Sequence, residues 1–379
     1  MDKQAPAKLL SDMLSIDTQN PPGNEKALAE YIERYLRDVP CEARVQDLGN
    51  GRANVTAIRR GRTPGGALLL NGHLDTVPHG DAQNWRTAPA VPAIRNGRLY
   101  ARGASDMKSG LCAALYAFKA FCVSGKIPAY DVLFAGTADE ETGGMGAQAL
   151  LDSGFLANAE SAVIGEPTGN ALGLCAKGTL WLRCALHGRT SHAAYPESGV
   201  NAITHAYALA NAAERCARGS PHPLLGKATC TITQMESGVK INVVPDACLM
   251  ALDIRTTPNV AHALLLAAIR AQAAAMEAET DGLSITIDVI NDRMPVSAAP
   301  ECAIARALSA SYSAVCGEPI RQMGAAFFSD ASVFLREKQM DVILFGPGES
   351  DEAHRPNESV DLRALTQAAL IYRRLLETV

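Results

Sequence analysis

Five short stretches of the 379-residue chain place imidazole or carboxylate groups where an apolar run ends or a helix begins. His73 and Asp75 lie in GHLDTVP, Asp106 in YARGASDMKSG, Glu140 and Glu141 in TADEETGG, Glu166 in IGEPTG, and His354 in GPGESDEAHRPNE. Mixed imidazole and carboxylate sets suit zinc and similar borderline divalent ions. A coordination position left open makes such a site hydrolytic rather than structural. With five ligands and one carboxylate able to bridge, two ions roughly 3.5 to 4 Å apart could bind a hydroxide between them and polarise a carbonyl. A spare Glu beside them could accept the water's proton and pass it to a leaving nitrogen.

Taken singly, each stretch has a plainer reading. A His-x-Asp after a strand is commonly a cap or loop feature, an acidic pair ahead of a helix favours its dipole, and Asp106 would serve as an N-cap. Their joint occurrence at successive strand ends favours the metal reading. In an open α/β sheet the carboxyl ends of the strands converge on one crevice, so side chains far apart in sequence can meet there.

The elements that would position these groups follow from the apolar spacing. Residues 7 to 37 read as two helices broken by NPPGNE, the second starting at Gly23 or Asn24. The short apolar runs ANVTAIRR, ALLLNGHLD, DVLFAGTADEE and SAVIGEP then alternate with the helical stretches DMKSGLCAALYAFKAFCVSG and MGAQALLDSG. That alternation predicts an α/β layer with a mainly parallel sheet. From residue 176 the order becomes β-α-β-β-α-β, a ferredoxin-like pattern, and after NDRMPVSAAP the first texture returns. The expected division is a catalytic α/β domain over residues 1–175 and 291–379, interrupted by a smaller α+β domain over 176–290.

The 35 basic and 40 acidic residues give a net charge of -5 with no basic run, which argues against nucleic acid and anionic membranes as partners. No stretch reaches the roughly 18 apolar residues of a membrane span. The amino terminus lacks the sections of a signal peptide, so the chain reads as cytoplasmic. Ten cysteines without a C-x-x-C pair, several inside apolar segments, read as free buried thiols and disfavour a redox enzyme. There is no G-x-S-x-G elbow, H-E-x-x-H helix, P-loop, or G-x-G-x-x-G after a first strand. His79 stands near the first candidate ligand with no role that requires it.

The ordered motifs GHLDTVP, NGRLYARGASDMKSG, DEETGG, IGEPT, GRTSHAAYPESGVNAI, NVVPD with LDIR, and AHRPNE span nearly the whole chain. In them the sequence resembles the dizinc hydrolases that include acetylornithine deacetylase, succinyl-diaminopimelate desuccinylase, glutamate carboxypeptidase and related dipeptidases. The resemblance implies that His73, Asp106 and Glu166 hold one ion and that Asp106, Glu141 and His354 hold the second, with zinc as the metal and cobalt as the alternative. It makes Glu140 the general base, has Asp75 orient His73 from behind, and places a cis peptide between Asp106 and Met107.

The same resemblance makes the inserted domain a lid and a dimer interface, so that the protein is a homodimer through 176–290 with His192 supplied to the partner's site. Asn242 and Arg255 match positions that bind substrate polar groups, Arg255 being suited to a carboxylate by its forked donors. Lys177, Thr179 and Tyr195 are further candidates, and Gly324 is kept from a glycine-rich turn that faces the substrate. The implied reaction removes an acyl group from a small N-acyl amino acid, with carboxypeptidase or dipeptidase action as the alternative. Two substrate cues pull apart: MGAAFFSDASVF is apolar around Phe327 and Phe328, whereas the acids before His354 would favour a cationic amino acid. A catalytically silent binding protein is the rival from another class, and the complete set of ligands and base argues against it.

Overall fold

The computed structural model describes residues 5–378, and the first four residues of the amino-terminal reading lie outside it. The chain divides into two compact units. One comprises the chain up to Cys175, Ser297–Met323 and the stretch from Ser329 onward; the other comprises Ala176–Val296 with Gly324–Phe328. The second unit thus runs six residues beyond the expected boundary at 290 and takes in a short later segment.

In the first unit the strands Val132–Thr137, Ala67–His73, Ala159–Ile164 and Asp341–Leu344 lie side by side in parallel. All seven residues of Ala67–His73 and all six of Val132–Thr137 are buried, as expected of strands covered on both faces. The sheet is mixed, however, rather than mainly parallel. Arg52–Arg59 runs antiparallel to Val132–Thr137, and Glu42–Gly49 runs antiparallel to Arg52–Arg59. For the outer pair the reason is local: Gly49, Asn50 and Gly51 have φ of 82°, 52° and 79°, which closes a tight turn. Strands joined by so short a connection form a hairpin, whereas parallel neighbours need a long crossover.

Helix Lys108–Val123 is the buried centre of this unit, with Ala5–Leu14 and Leu362–Leu376 packed against it and Ala303–Cys316 against Leu362–Leu376. Its near end lies close to the sheet because residue 110 is glycine. A Cβ there would stand 1.7 Å from the Gly165 carbonyl oxygen, so any larger residue would push the helix away from the strand end that carries Glu166. The Asp106–Met107 peptide leading into this helix is cis.

The second unit has a four-stranded antiparallel sheet in the order Thr229–Ser237, Ala247–Thr256, Gly178–His187, Ser284–Arg293. With helices Ala202–Ala217 and His262–Glu279, its chain order is β-α-β-β-α-β. Alternate strand residues Leu180, Leu182, Cys184, Met250 and Leu252 pack with Ala206, Leu209, Leu265 and Ile269, which places both helices on one face. His262 pins the start of its helix to the sheet, with Nδ1 2.6 Å from Asp292 Oδ1 and Nε2 2.6 Å from Thr256 Oγ1. None of the ten cysteines is disulfide-bonded. Among the described residues no helix is long and apolar enough to cross a membrane.

Candidate dinuclear metal centre

The parallel strands deliver their terminal residues to one place. His73 ends Ala67–His73, Glu140 and Glu141 follow Val132–Thr137, Glu166 follows Ala159–Ile164, and His354 lies in the loop after Asp341–Leu344. Asp106 sits between the two imidazoles: its Oδ1 is 3.1 Å from His73 Nε2 and its Oδ2 is 3.4 Å from His354 Nε2. Glu141 Oε2 is 3.2 Å from His354 Nε2. Two ligand groups result, His73 with Asp106 and Glu166, and Asp106 with Glu141 and His354, the ligand atoms of each lying within 4.8 Å of one another. Asp106 is common to both, and all but His354 are largely buried.

The electrostatics are those of a pocket built around cations. Burial, aided by the charges of its neighbours, drives the Glu166 carboxyl well above its usual range, and Glu140 likewise; burial also raises Glu141. Burial pulls against charge on His73, but the carboxylates of Asp106, Glu140 and Asp75 outweigh it and push the imidazole well above its ordinary value. Hydrogen bonds to Asp106 and Glu141 push His354 up to about 10. Burial works against the Asp106 charge, yet the two imidazoles hold its carboxyl below the usual carboxylate range. Glu140 Oε1 and Glu141 Oε1 are buried with no hydrogen-bond partner. Buried, crowded carboxylates of this kind are stable only with compensating positive charge. The donor set of imidazole and carboxylate therefore fits a pair of divalent ions.

Asp75 serves this centre differently from the expectation. Its backbone carbonyl, not its carboxylate, is the close partner of His73 Nδ1, at 2.9 Å against 3.7 Å for Oδ1. A Nδ1–H donated to that carbonyl leaves Nε2 free to ligate. The carboxylate instead accepts the backbone N–H groups of Glu140 and Glu141, both at 3.2 Å, and Asn20 Nδ2 at 2.9 Å.

Several supporting residues were missed by sequence reasoning. Asp139 has φ 69° and turns the chain so that the two following acids face the centre. Its Oδ1 accepts Arg52 Nη1 at 2.5 Å, Asn20 Nδ2 at 3.1 Å and Thr142 Oγ1 at 2.5 Å. Glu358, from the AHRPNE motif, holds the loop of Asp106: it accepts the N–H groups of Gly103, Ser105 and Asp106, and pairs with Arg102 at 2.6 Å. Asp330 accepts Thr137 Oγ1 at 2.5 Å and adds to the negative field on Glu140 and Glu166. The sequence signals for these lay in NPPGNE, TADEETGG, YARGASDMKSG, RPNE and the Ser-Asp pair of FFSDASVF.

The remaining candidates belong to the second unit. His192 is exposed, in a two-residue strand paired with Val243–Val244, and its Nδ1 accepts Ala194 N–H at 3.0 Å. Asn242 and Tyr195 are exposed, the Tyr195 ring 6.2 Å from that of His192. Lys177, Thr179 and Arg255 lie on or next to the strands Gly178–His187 and Ala247–Thr256, and Gly324 lies on the short strand Gln322–Ala325. Arg293, also missed, sits opposite Thr179 on the neighbouring strand. Of the other histidines, His79 is occupied within its own loop, where Nδ1 meets Gly80 O at 2.8 Å.

A mixed α/β sheet whose central parallel strands gather at their ends two ligand groups sharing one carboxylate defines an α/β metallohydrolase. Residues 69–378 match the model described as peptidase family M20/M25/M40, and the chain belongs to that family. It is accordingly an amide-cleaving metallohydrolase. A Staphylococcus epidermidis protein described as a probable succinyl-diaminopimelate desuccinylase is 25% identical over 95% of this chain and 94% of its own length. The structure of an M20 family metallo-carboxypeptidase from Sulfolobus solfataricus superposes with a TM-score of 0.80 at 19% identity, covering 100% of this chain and 99% of that one. A Bacillus subtilis structure described as a dinuclear metal binding peptidase of the M20 family gives 0.76 at 16% identity, with 100% and 99% covered.

Proposed function

We propose that the protein removes the acyl group from an N-acyl amino acid, using zinc, with cobalt as the alternative. The observation that carries this reading is the pair of ligand groups sharing Asp106, with the buried Glu140, whose Oε1 has no hydrogen-bond partner, following the same strand as Glu141. Ions held by His73, Asp106 and Glu166, and by Asp106, Glu141 and His354, would supply a polarised carbonyl and a water of lowered pKa. Glu140 takes a proton on its carboxylate and returns it to the leaving nitrogen. Burial supports this role, because a raised carboxyl affinity brings a general base closer to neutral pH. Asp75 and Asp139 keep the backbone of the acid pair in place, and Glu358 does the same for Asp106.

Arg255 takes the substrate α-carboxylate, with Asn242, Lys177, Thr179, Tyr195 and Gly324 as further contacts. The unit over 176–290 acts as lid and dimer interface, with His192 passed to the partner's site. Exposure of Met235, Leu249, Val289 and Ile290 on its sheet strands is consistent with a second copy packing there. The cytoplasm suits ten unpaired cysteines.

The test is hydrolysis by the zinc-loaded protein of N-acetyl and N-succinyl amino acids against dipeptides, with and without a chelator. Chelator-sensitive deacylation is the expected result. Faster cleavage of dipeptides moves the assignment to a carboxypeptidase or dipeptidase, and activity indifferent to the chelator overturns the metal mechanism.

A further inference from the structure

The loop NPPGNE and the strand Arg52–Arg59 bring an amide, a cation and an acid to the turn that carries the acid pair, all within the first unit. Asn20 Nδ2 lies 2.9 Å from Asp75 Oδ2, 3.1 Å from Asp139 Oδ1 and 2.9 Å from Thr142 Oγ1. Its Oδ1 accepts Arg52 Nη2 at 2.5 Å. A turned amide would set an oxygen against two carboxylates and a nitrogen against a guanidinium, so the network admits one orientation. Arg52 is anchored in turn. Its Nη1 meets Asp139 Oδ1 at 2.5 Å and stands 3.4 Å from Oε1 of Glu25, the fully buried first residue of helix Glu25–Leu36; its Nη2 also donates to Pro22 O at 3.1 Å.

Asp75 joins this network to the reaction centre. Asn20 N–H donates to Thr76 O at 2.8 Å and Thr76 N–H to Thr18 O at 3.1 Å, so the loop runs beside the Asp75 segment in a fixed register. The Asp75 carboxylate accepts the N–H groups of Glu140 and Glu141, and it shares the Asn20 Nδ2 donor with the Asp139 carboxylate. Two buried carboxylates that share a donor repel each other once the donor is gone. Glu140 Oε1 has no hydrogen-bond partner of its own, so the direction of that side chain depends on how its backbone is held. A displacement of about 1 Å at a reacting group costs about 100-fold in rate.

We propose that Asn20 is a positioning residue for the general base, with Arg52 and Glu25 fixing the direction in which its amide faces. This rests on the reading of Glu140 as the base of an amide hydrolase. Asn20 acts on turnover through Asp75 and the Glu140 N–H, so its removal loosens the acid pair while the rest of the fold holds.

The experiment compares the zinc-saturated full chain with Asn20→Ala by amide hydrogen exchange and by kinetics. In the variant, exchange in fragments covering residues 138–144 should quicken about tenfold or more, while helix Lys108–Val123 keeps the parental rate. On the N-acyl amino acid that the parent cleaves fastest, kcat should fall about 10- to 100-fold with KM within about twofold. Placed in Glu140→Gln, the same substitution should lower kcat by less than about twofold, because the group it positions is gone. Exchange that quickens equally throughout, a loss carried by KM, or the full loss of kcat in Glu140→Gln overturns the proposal. Where the alanine variant fails to fold, Asn20→Asp replaces it. That variant keeps the size and the acceptor for Arg52 but has no donor for Asp75, so the same losses are expected, and parental exchange and turnover overturn the proposal. The reading of the base fails separately: Glu140→Gln with parental turnover overturns it, and the exchange of residues 138–144 then still decides whether Asn20 holds the acid pair.

Discussion

Glu358→Gln is the substitution that probes how the shared ligand is held. The Glu358 side chain is 1% exposed, and each of its oxygens has two donors. Oε1 accepts Ser105 N–H at 2.8 Å and Asp106 N–H at 3.0 Å; Oε2 accepts Gly103 N–H at 3.1 Å and Arg102 Nη1 at 2.6 Å. A glutamine keeps one acceptor and turns the other into a donor, so two of the four donors lose their partner whichever way the amide faces. Each buried donor left unsatisfied costs about 1–3 kcal/mol. Neutralising one side of a buried ion pair costs about 3–5 kcal/mol by itself. These losses overlap, and about 4 kcal/mol is expected, a large share of a total stability of about 5–15 kcal/mol. Because the same N–H groups fix the backbone at Asp106, zinc affinity should fall about 10- to 100-fold. Urea unfolding of the metal-free protein and chelator competition for zinc measure the two effects. A stability loss below about 1 kcal/mol together with unchanged zinc affinity would refute the claim that this carboxylate positions the ligand.

Two further expectations are independent of that clamp. Glu140→Gln should lower kcat about 100- to 10,000-fold while zinc binding stays near the parent's; parental turnover would move the general base elsewhere. Lys108 is buried at the start of its helix, donates to Met13 O and Ile16 O, and burial lowers its amine to about 8. An amine depressed in the fold binds fewer protons there than in the unfolded chain above that value. The parent should therefore gain stability as pH rises from about 8 toward the unfolded value near 10.4, by up to about 3 kcal/mol. Lys108→Met removes this gain, so the difference in urea stability between the two proteins should change across that window; a constant difference counts against it.

What the sequence disclosed and what it hid have distinct physical causes. His73, Glu140, Glu141, Glu166 and His354 were legible because each ends or follows an apolar run; the structure gathers His73, Glu141, Glu166 and His354 around Asp106, with Glu140 in the field of His73, Glu166 and Glu141. The direction of a strand is not written in its apolar pattern, so the hairpin at LGNGR was absorbed into an expected parallel sheet; its Gly-Asn-Gly turn was the available signal. Glu358, Arg102, Asn20 and Arg52 act through hydrogen bonds to groups far away in sequence, and locally they look like any loop acid, base or amide. Asp75 was noticed but its partners were not, since its carboxylate serves backbone N–H groups of residues 65 and 66 positions later. Arg293, at the end of its strand, reads as a solvated charge until its pairing with Thr179 buries it.

The most direct measurement is the number of zinc ions bound per chain at saturation, in the parent and in Asp106→Ala, His73→Ala and His354→Ala. With Asp106 shared by both ligand groups, the parent should take up two ions, each histidine variant should retain one, and Asp106→Ala should lose both. A parent that binds a single ion, or an Asp106→Ala protein that still binds two, would contradict the bridged centre.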